Sequence, residues 1–363
     1  GKSSLALTAA NQYQCGSGDY IHVSISEDST ITSLVGAIAS AAVEASRLTV
    51  NSKTVGGSIG LKWLEKNYTN HCSETDFALT IRTLGDATAV LKQVGLIRLT
   101  PTLVVVDEVD QMQNPKEIKY LSKLLKDVAD QSINIKFIFT GVGDTLDELL
   151  GAHKSAFRQL ETIRLEGLSW DARWDIAITA FNAFKISLSS DHAVALRLAF
   201  VSDGYPYYVH IIVEKMLWLM YEMVVEATEV TMQNYQDGLN DAIKGIAATL
   251  SDPYNMAISP RYGNSQEVLW STCGWVGDLE LFYIKDMYEH YEFIMKQQPE
   301  KTKLDYKQYS NCVRRLKEPG YGSILKPGRK RGSYEHREKI LRGFIYMQAE
   351  AQGIKMASRE AKV

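Results

Sequence analysis

The segment Leu103-Val-Val-Val-Asp107-Glu108 decides the fold class of this 363-residue chain. Its four apolar residues run without polar alternation, which is typical of a strand covered on both faces in a parallel sheet. Two carboxylates follow directly where the strand ends. The segment therefore predicts a central strand that presents two acidic side chains at one edge of the sheet.

On both sides of this segment, strand patterns alternate with helix patterns. The predicted elements are a strand at 20–24, a helix at 31–48, a helix at 118–130, a strand at 133–140 and a short last strand at 163–165. Strands that alternate with helices indicate a parallel sheet with helices on both faces. Residues 1–168 are therefore predicted to form an α/β domain.

The rest of the chain is predicted to contain two further parts. Residues 169–250 lack strand signals and form a helical lid in which Ser169 caps the first helix. The predicted lid helices are 169–184, 191–201, 206–227 and 231–250, followed by a linker at 251–264 rich in turn residues. Residues 265–363 show three helical patterns, a two-stranded ribbon and a last helix from Glu338. That order is the layout of a winged helix-turn-helix.

The chain opens with Gly1-Lys2-Ser3-Ser4, which matches the end of the phosphate-binding loop GxxxxGK[ST]. Glycine lets the backbone close around phosphate, and N–H groups at a helix start donate to its oxygens. In such a loop Lys2 reaches the β- and γ-phosphates, and the Ser3 hydroxyl coordinates Mg²⁺. We expect the first four loop positions, and the adenine pocket, to precede Gly1. A terminal tetrapeptide of this kind also arises by chance.

The acidic strand end supports the phosphate-loop interpretation. In an ATPase the first carboxylate, Asp107, holds Mg²⁺ and the second, Glu108, orients or deprotonates the attacking water. Thr140 ends a neighbouring strand and can reach the γ-phosphate or that water. A solvated acidic turn and a turn threonine are the alternatives. Together, in this order, the signals predict a site for ATP and Mg²⁺.

With these motifs the chain resembles AAA+ ATPases, and within them the initiator, origin-recognition-like branch, in which the acidic motif often continues as D-E-x-D. Here that motif reads Val106-Asp107-Glu108-Val109-Asp110. The resemblance implies nucleotide and Mg²⁺ binding by Lys2 and Ser3, a Walker B pair at Asp107 and Glu108, and sensor 1 at Thr140. It implies an ATPase that yields ADP and phosphate, and we expect it to be slow because the sequence gives neither a sensor 2 arginine nor a secure arginine finger.

Two departures from the AAA+ pattern leave alternatives open. No arginine lies in the stretch Asp203-Gly-Tyr-Pro206-Tyr-Tyr208, where sensor 2 is expected. Gly204-x-Pro206 is instead similar to the lid motif of STAND signalling ATPases, although proline is also ordinary at the first helical position. The arginine finger is expected before the last strand. Arg158 fits that role better than Arg164, and its alternative is a solvated helix-end charge.

Positive charge is concentrated near the end of the chain. Residues 311–343 contain ten Lys and Arg against three Glu, although the whole chain carries −3. We predict a recognition helix at 305–317 and a basic wing tip, which together hold the phosphates of double-stranded DNA. The predicted DNA contacts are Arg314, Arg315, Lys317, Lys326, Arg329, Lys330 and Arg331. The alternative is a winged helix that binds an effector protein and carries a solvated charge run.

Composition excludes several classes of protein. The four cysteines are far apart, so neither a zinc knuckle nor a disulfide framework is indicated. The longest apolar stretch, 207–227, contains charged residues and is no membrane span. We therefore expect a cytoplasmic protein, which oligomerises if it acts as a loader on DNA. The lid aromatics are predicted to be core residues: Trp170, Trp174, Phe181, Phe184, Tyr207, Tyr208, Trp218 and Tyr221.

Overall fold

A computed structural model shows how the predicted elements assemble. It describes residues 1–14, 20–50, 81–96, 101–143, 160–188, 193–223, 228–259, 263–274 and 282–356, except the side chains of 46–50. The chain divides into two compact units, Gly1–Leu165 and Glu166–Val363.

The first unit contains a three-stranded parallel sheet. Its strands are β1 (Ile21–Ser24), β2 (Thr102–Asp107) and β3 (Ile135–Phe139), in the spatial order β1-β2-β3. All six residues of β2 are buried, because a strand pairs with it on each side and side chains cover both of its faces. The predicted α/β fold with a doubly covered central strand is therefore confirmed.

Helices cover both faces of this sheet. They are α1 (Lys2–Tyr13), α2 (Ile31–Val50), α3 (Leu84–Gly95) and α4 (Pro115–Asp130). Ala6 and Ala10 of α1 share one hydrophobic cluster with Leu103 and Val105 of β2. The other three helices share a larger cluster with the opposite face of β2. Because residues alternate along a strand, the apolar run of β2 supplies both clusters.

Local sequence fixes where α4 starts and which side it buries. The side chain of Asn114 caps the helix by accepting from the N–H of Lys116 at 3.0 Å, and Pro115 occupies the first helical position. Leu121, Leu124 and their apolar neighbours face the core of the first unit. Burial of one such leucine contributes about 1.5–3 kcal/mol, so packing decides how α4 lies on the sheet.

The first half of the second unit is mainly helical. Its elements are α5 (Trp170–Ala183), β4 (Ser187–Leu188), α6 (Ala193–Val201), α7 (Pro206–Tyr221), β5 (Glu229–Val230), α8 (Met232–Gly245) and α9 (Ala248–Ile258). The predicted cap of α5 is confirmed, since the Ser169 hydroxyl accepts from the N–H of Ala172 at 3.3 Å. Thr231 caps α8 in the same way through the N–H of Asn234.

The second half of this unit has the element order predicted for a winged helix-turn-helix. Its elements are α10 (Ser265–Ser271), β6 (Phe282–Tyr283), α11 (Ile284–Met295), α12 (Tyr306–Arg315), β7 (Leu325–Pro327), β8 (Ser333–His336) and α13 (Leu341–Ala351). The strands form an antiparallel sheet in the order β6-β8-β7. A turn at 328–332 joins β7 to β8, closed by a 2.9 Å hydrogen bond from Gly328 N–H to the Ser333 carbonyl.

One hydrophobic core joins the two halves of the second unit. The ring of Tyr254 on α9 packs edge-on against Phe344 on α13, and its hydroxyl accepts from the indole N–H of Trp270 at 3.2 Å. Tyr208 on α7 is fully buried and donates its hydroxyl proton to the Ile340 carbonyl, 2.5 Å away. The predicted lid helices and the C-terminal helices are therefore packed together.

The predicted linker at 251–264 is wrong over most of its length, because α9 continues through it to Ile258. Its Asp-Pro pair indicated a break, yet Pro253 lies inside the helix. A proline removes one helical hydrogen bond. Burial of Leu250, Tyr254 and Ala257 on the core side outweighs that loss.

Two strand predictions are also corrected. Residues 163–165 form no strand, and the side chain of Ile163 is 78% exposed. Three residues with two apolar side chains are too few to bury a face. The lid was predicted without strands, but β4 and β5 pair in parallel over two residues each. Such a short pair leaves no periodic signal in the sequence.

The prediction that the lid aromatics are core residues is confirmed for some of them and wrong for others. Phe181 and Tyr208 are fully buried, whereas Phe184, Tyr207, Trp218 and Tyr221 are exposed. Trp218 and Tyr221 lie on the outer side of α7 and contact each other edge-on at 6.1 Å between ring centroids. The aromatic residues of α7 surround the helix, while only one side of it faces the core.

Candidate functional site

Three groups converge on the carboxylate of Asp107 at the carboxyl end of β2. The Thr140 hydroxyl, which follows β3, donates to Oδ1. The backbone N–H of Glu108 donates to the same oxygen at 3.0 Å. The Ser3 side chain, in the first turn of α1, also hydrogen-bonds this carboxylate. The structure thus brings together three residues that the sequence placed in one site from three distant segments.

These contacts favour the ionised form of Asp107. Burial works against the charge, but the hydrogen bonds from Thr140, Ser3 and the Glu108 N–H outweigh it and hold the pKa of the Asp107 carboxyl below its ordinary value. Asp107 is therefore a carboxylate at neutral pH. Such a group is suited to bind a divalent cation.

Glu108 adopts a left-handed backbone conformation, with φ of 59°. This conformation is uncommon for a residue with a side chain, and here its N–H faces Asp107 while its carboxylate is exposed. The next residue, Val109, donates its N–H to the Thr140 carbonyl at 2.9 Å. The turn after β2 is thereby fixed to the end of β3.

The predicted phosphate-binding residues lie at the start of α1. Gly1 is the N-cap, and Lys2 and Ser4 are exposed in the first turn. The first N–H groups of a helix have no intrahelical acceptor and carry the positive end of the helix dipole. This end of α1 can therefore bind an anion.

The two remaining predicted site residues are Arg158 and Pro206. Arg158 lies outside the described residues. Pro206 occupies the first position of α7 in the second unit, after Tyr205 as the N-cap. Gly204 has φ of +84°, and a Cβ there would lie 2.9 Å from the Cα of Gly167. A close backbone contact therefore accounts for that glycine.

Sequence reasoning missed His22 and gave Asp110 no role beyond its place in the acidic motif. His22 on β1 lies with Nε2 3.8 Å from Oδ2 of Asp107. Asp110 accepts the backbone N–H of Val142 at 2.9 Å and so holds the segment after Thr140. The alternation of β1 could have indicated the face on which His22 lies. The pairing of β1 with β2, however, is visible only in the structure.

The predicted DNA-binding residues lie on α12 and around the β7–β8 turn. Arg314 and Arg315 form the last turn of α12, and Lys317 follows it. The residues 329–331 form the turn at the wing tip, and all three are exposed. Lys317 and Lys326 are among the predicted contacts that already have partners within the protein. Lys317 lies over the ring of Tyr334, and Lys326 pairs with Glu335 at 3.4 Å.

The oxygen donors around Asp107 fit Mg²⁺ and a nucleotide. Mg²⁺ prefers carboxylate, hydroxyl and phosphate oxygens and commonly takes only one or two ligands from the protein. Ser3 and Asp107 supply such oxygens side by side, and the exposed Lys2 supplies a cation for phosphate.

No described helix is long and apolar enough to cross a membrane.

No family model matches the sequence, and no curated protein matches it. Solved structures similar to this chain include Cdc6p from Pyrobaculum aerophilum, at 13% identity and a TM-score of 0.42, covering 95% of this chain and 84% of that one. Orc1 of Aeropyrum pernix in complex with DNA is similar at 13% identity and 0.38, covering 97% and 84%. RuvB of Thermotoga maritima is similar at 14% identity and 0.34, covering 98% and 94%.

Proposed function

We propose that this chain is an ATPase of the AAA+ type, which binds ATP and Mg²⁺ at the carboxyl end of β2. The observation that supports it most is the convergence of Ser3, Thr140 and the Glu108 N–H on the Asp107 carboxylate. Any one of these residues has an ordinary structural explanation. Together they match the chemistry of nucleotide hydrolysis. That chemistry uses a serine at a helix start, two neighbouring carboxylates and a threonine at a strand end, all close to one another.

Each residue has a separate task in this proposal. Lys2 and the N–H groups at the start of α1 bind phosphate, and Ser3 with Asp107 holds the metal ion. Bound Mg²⁺ neutralises the charge that develops on the transferred phosphate. Glu108 orients the attacking water, and Thr140 positions Asp107. The finger role of Arg158 rests on the sequence alone.

Nucleotide binding by the full-length protein tests the proposal. Lys2→Ala should abolish binding of a fluorescent ATP analogue, because the phosphate charge loses its cation. Lys92→Ala removes an exposed lysine from α3 and serves as the matched control. Glu108→Gln should keep binding and stop phosphate release. Unchanged binding by the Lys2 variant would contradict the assignment of this site.

We further propose that the protein is a nucleotide-gated, DNA-associated switch or loader. This part rests on the exposed basic residues 329–331 at the wing tip and on the exposed Arg314 in the last turn of α12. Binding of a labelled DNA duplex should be measured with and without ATP–Mg²⁺ over a range of salt concentrations. Binding that requires ATP and weakens with salt would support the gate, while no binding in any nucleotide state would contradict it.

The wing tip can be tested by replacing Arg329, Lys330 and Arg331 with alanine. Each lost phosphate contact lowers the slope of log K against log salt by about 0.9. The triple variant should therefore lower the magnitude of the slope by up to about 2.7. Lys285→Ala with Lys296→Ala removes exposed charge elsewhere in the second unit and should leave the slope unchanged.

A STAND-type signalling ATPase is the second candidate, in which the C-terminal helices bind an effector protein. The Gly204-x-Pro206 motif at the start of α7 favours it. The adjacent Asp203 pairs with Arg342 of α13, so a change at the motif would reach the C-terminal helices. The salt titration separates the two candidates. A homo-oligomeric loader would instead assemble only with ATP, and Arg158→Ala should prevent that assembly.

A further inference from the structure

Four lysines line the outward side of α4 in the first unit. Lys116, Lys119, Lys123 and Lys126 follow one another at intervals of three, four and three residues, which puts them along one side of a helix. All four side chains are exposed. We call this set the α4 lysine row.

The opposite side of α4 fixes the direction in which this row points. The buried residues of the helix are Leu121, Ser122, Leu124, Leu125 and Val128. The Asn114 side chain caps the N-terminus of α4. The helix cannot rotate without exposing its leucines, so the lysine row faces away from the sheet.

No ion pair within the described part of the chain neutralises the row. Glu117, the acidic residue between the first two lysines, is turned towards α2, where Oε2 accepts the N–H of Ile31 at 2.7 Å. Asp127 and Asp130 lie near the other end of α4 without pairing to a lysine of the row.

The row is unfavourable for the helix that carries it. Like charges at intervals of three and four residues repel each other, and lysine near a helix N-terminus faces the positive end of the dipole. The whole unit holds sixteen Lys and Arg against eighteen Asp and Glu, so the row is a positive patch on a net-negative unit. A helix face that serves only for solubility usually carries both positive and negative side chains.

We propose that the α4 lysine row binds the phosphate backbone of double-stranded DNA. From Lys116 to Lys126 the helix rises about 15 Å, at about 1.5 Å per residue. One DNA strand carries a phosphate about every 3.4 Å along the duplex axis. The row therefore spans about four phosphates of one strand with four cations. Lysine, a flexible point charge, suits contacts to phosphate that do not depend on sequence.

The structure favours DNA over a lipid surface. A helix that binds membranes inserts an apolar face beside its basic residues. The apolar face of α4 is already buried in the core, and the exposed apolar residue beside the row is Tyr120, which is 47% exposed. An acidic protein partner is the other occupant that the test must separate.

The proposal adds a DNA contact in the first unit and does not depend on the wing tip. The test compares duplex binding by the full-length protein with that of Lys119→Ala/Lys123→Ala. The matched control is Lys285→Ala/Lys296→Ala, which removes the same charge from two exposed positions in α11 and directly after it. We expect the α4 variant to lower the magnitude of the salt slope by about 1.8, and the control to leave it unchanged.

An unchanged salt slope in the α4 variant would overturn the proposal, and so would an equal loss of slope in the control. Tighter binding of poly-glutamate or phosphatidylserine vesicles than of the duplex through the α4 lysine row would also overturn it. A combined variant keeps this question apart from the wing. The wing-tip triple variant is combined with Lys119→Ala/Lys123→Ala. If the triple variant still binds the duplex and the combined variant does not, the α4 lysine row contacts DNA even though the wing tip does not. Thermal unfolding should show that the α4 variant is folded, because alanine favours an exposed helix.

Discussion

Arg342 of α13 pairs with Asp203, the residue before Gly204 at the start of α7, with Nη2 to Oδ1 at 3.2 Å. Both side chains are largely buried, at 14% and 16% exposure. The Arg173 guanidinium of α5 reaches the Ala199 carbonyl nearby at 2.7 Å. The residue before the predicted lid motif is therefore paired with α13. A change at Gly204–Pro206 would act directly on α13.

Breaking this ion pair should destabilise the second unit. Asp203→Asn keeps the shape of the side chain and its tolerance of a positive φ, but leaves the Arg342 charge buried without its partner. Loss of one partner of a buried pair costs about 3–5 kcal/mol. Urea unfolding followed by tryptophan fluorescence measures the free energy of unfolding. Asp241→Asn, which removes the exposed partner of Lys215 and Lys244, should cost no more than about 1 kcal/mol. Similar losses in both variants would contradict the ion pair's role.

Thr140→Val should weaken the site around Asp107 without changing its shape. The valine cannot donate to the carboxylate, so the pKa of Asp107 should rise towards its ordinary value. A hydrogen bond to a charged group contributes about 1.5–3 kcal/mol, and binding of ATP–Mg²⁺ should weaken several-fold in a fluorescence titration. Thr140→Ser keeps the hydroxyl and should bind like the wild type.

The hydrogen bond from Thr140 to Asp107 predicts how the stability of the first unit depends on pH. The lowered pKa of Asp107 contributes stability above the unfolded value, about 3.9, and this stability is lost as the pH falls through the folded value. Thr140→Val should lose less stability in this acid range than the wild type. An identical acid dependence in urea unfolding would show that Thr140 does not act on this carboxylate.

Glu108→Gly should raise stability and abolish ATP hydrolysis. Glycine adopts φ of 59° without the steric cost that a side chain brings, about 1 kcal/mol. Glu108→Ala removes the same carboxylate but keeps the cost, so it should be equally inactive and less stable than the glycine variant. Thermal unfolding and phosphate release together separate the two effects. A glycine variant no more stable than the alanine variant would remove the argument from backbone strain.

The second unit should lose stability as the pH falls from about 6.5 to about 4. Burial lowers the pKa of His290 on α11 to about 4. Below pH 6.5 the unfolded chain binds a proton that the folded chain refuses, which costs about 3 kcal/mol by pH 4. Urea midpoints at pH 7 and pH 5 measure the loss.

A matched pair of variants identifies the residue responsible. His290→Phe should reduce the dependence on pH, although it also loses the contact from Nδ1 to the Ser271 carbonyl at 3.2 Å. His210 is exposed on α7, and His210→Gln should leave the dependence as it is. A loss that persists in the His290 variant would point to the buried His336, whose pKa burial also lowers.

The sequence by itself determined the α/β class, the end of β2 and the cap at Ser169, because strand burial and helix capping depend on short runs of residues. It also indicated that Ser3, Asp107 and Thr140 belong to one site. Only the tertiary structure decided that α9 passes through Pro253, that Trp218 is exposed, and that Asp203 meets Arg342. Those outcomes depend on which surfaces meet across long distances in sequence, and there packing energy outweighs the local preference of any single segment.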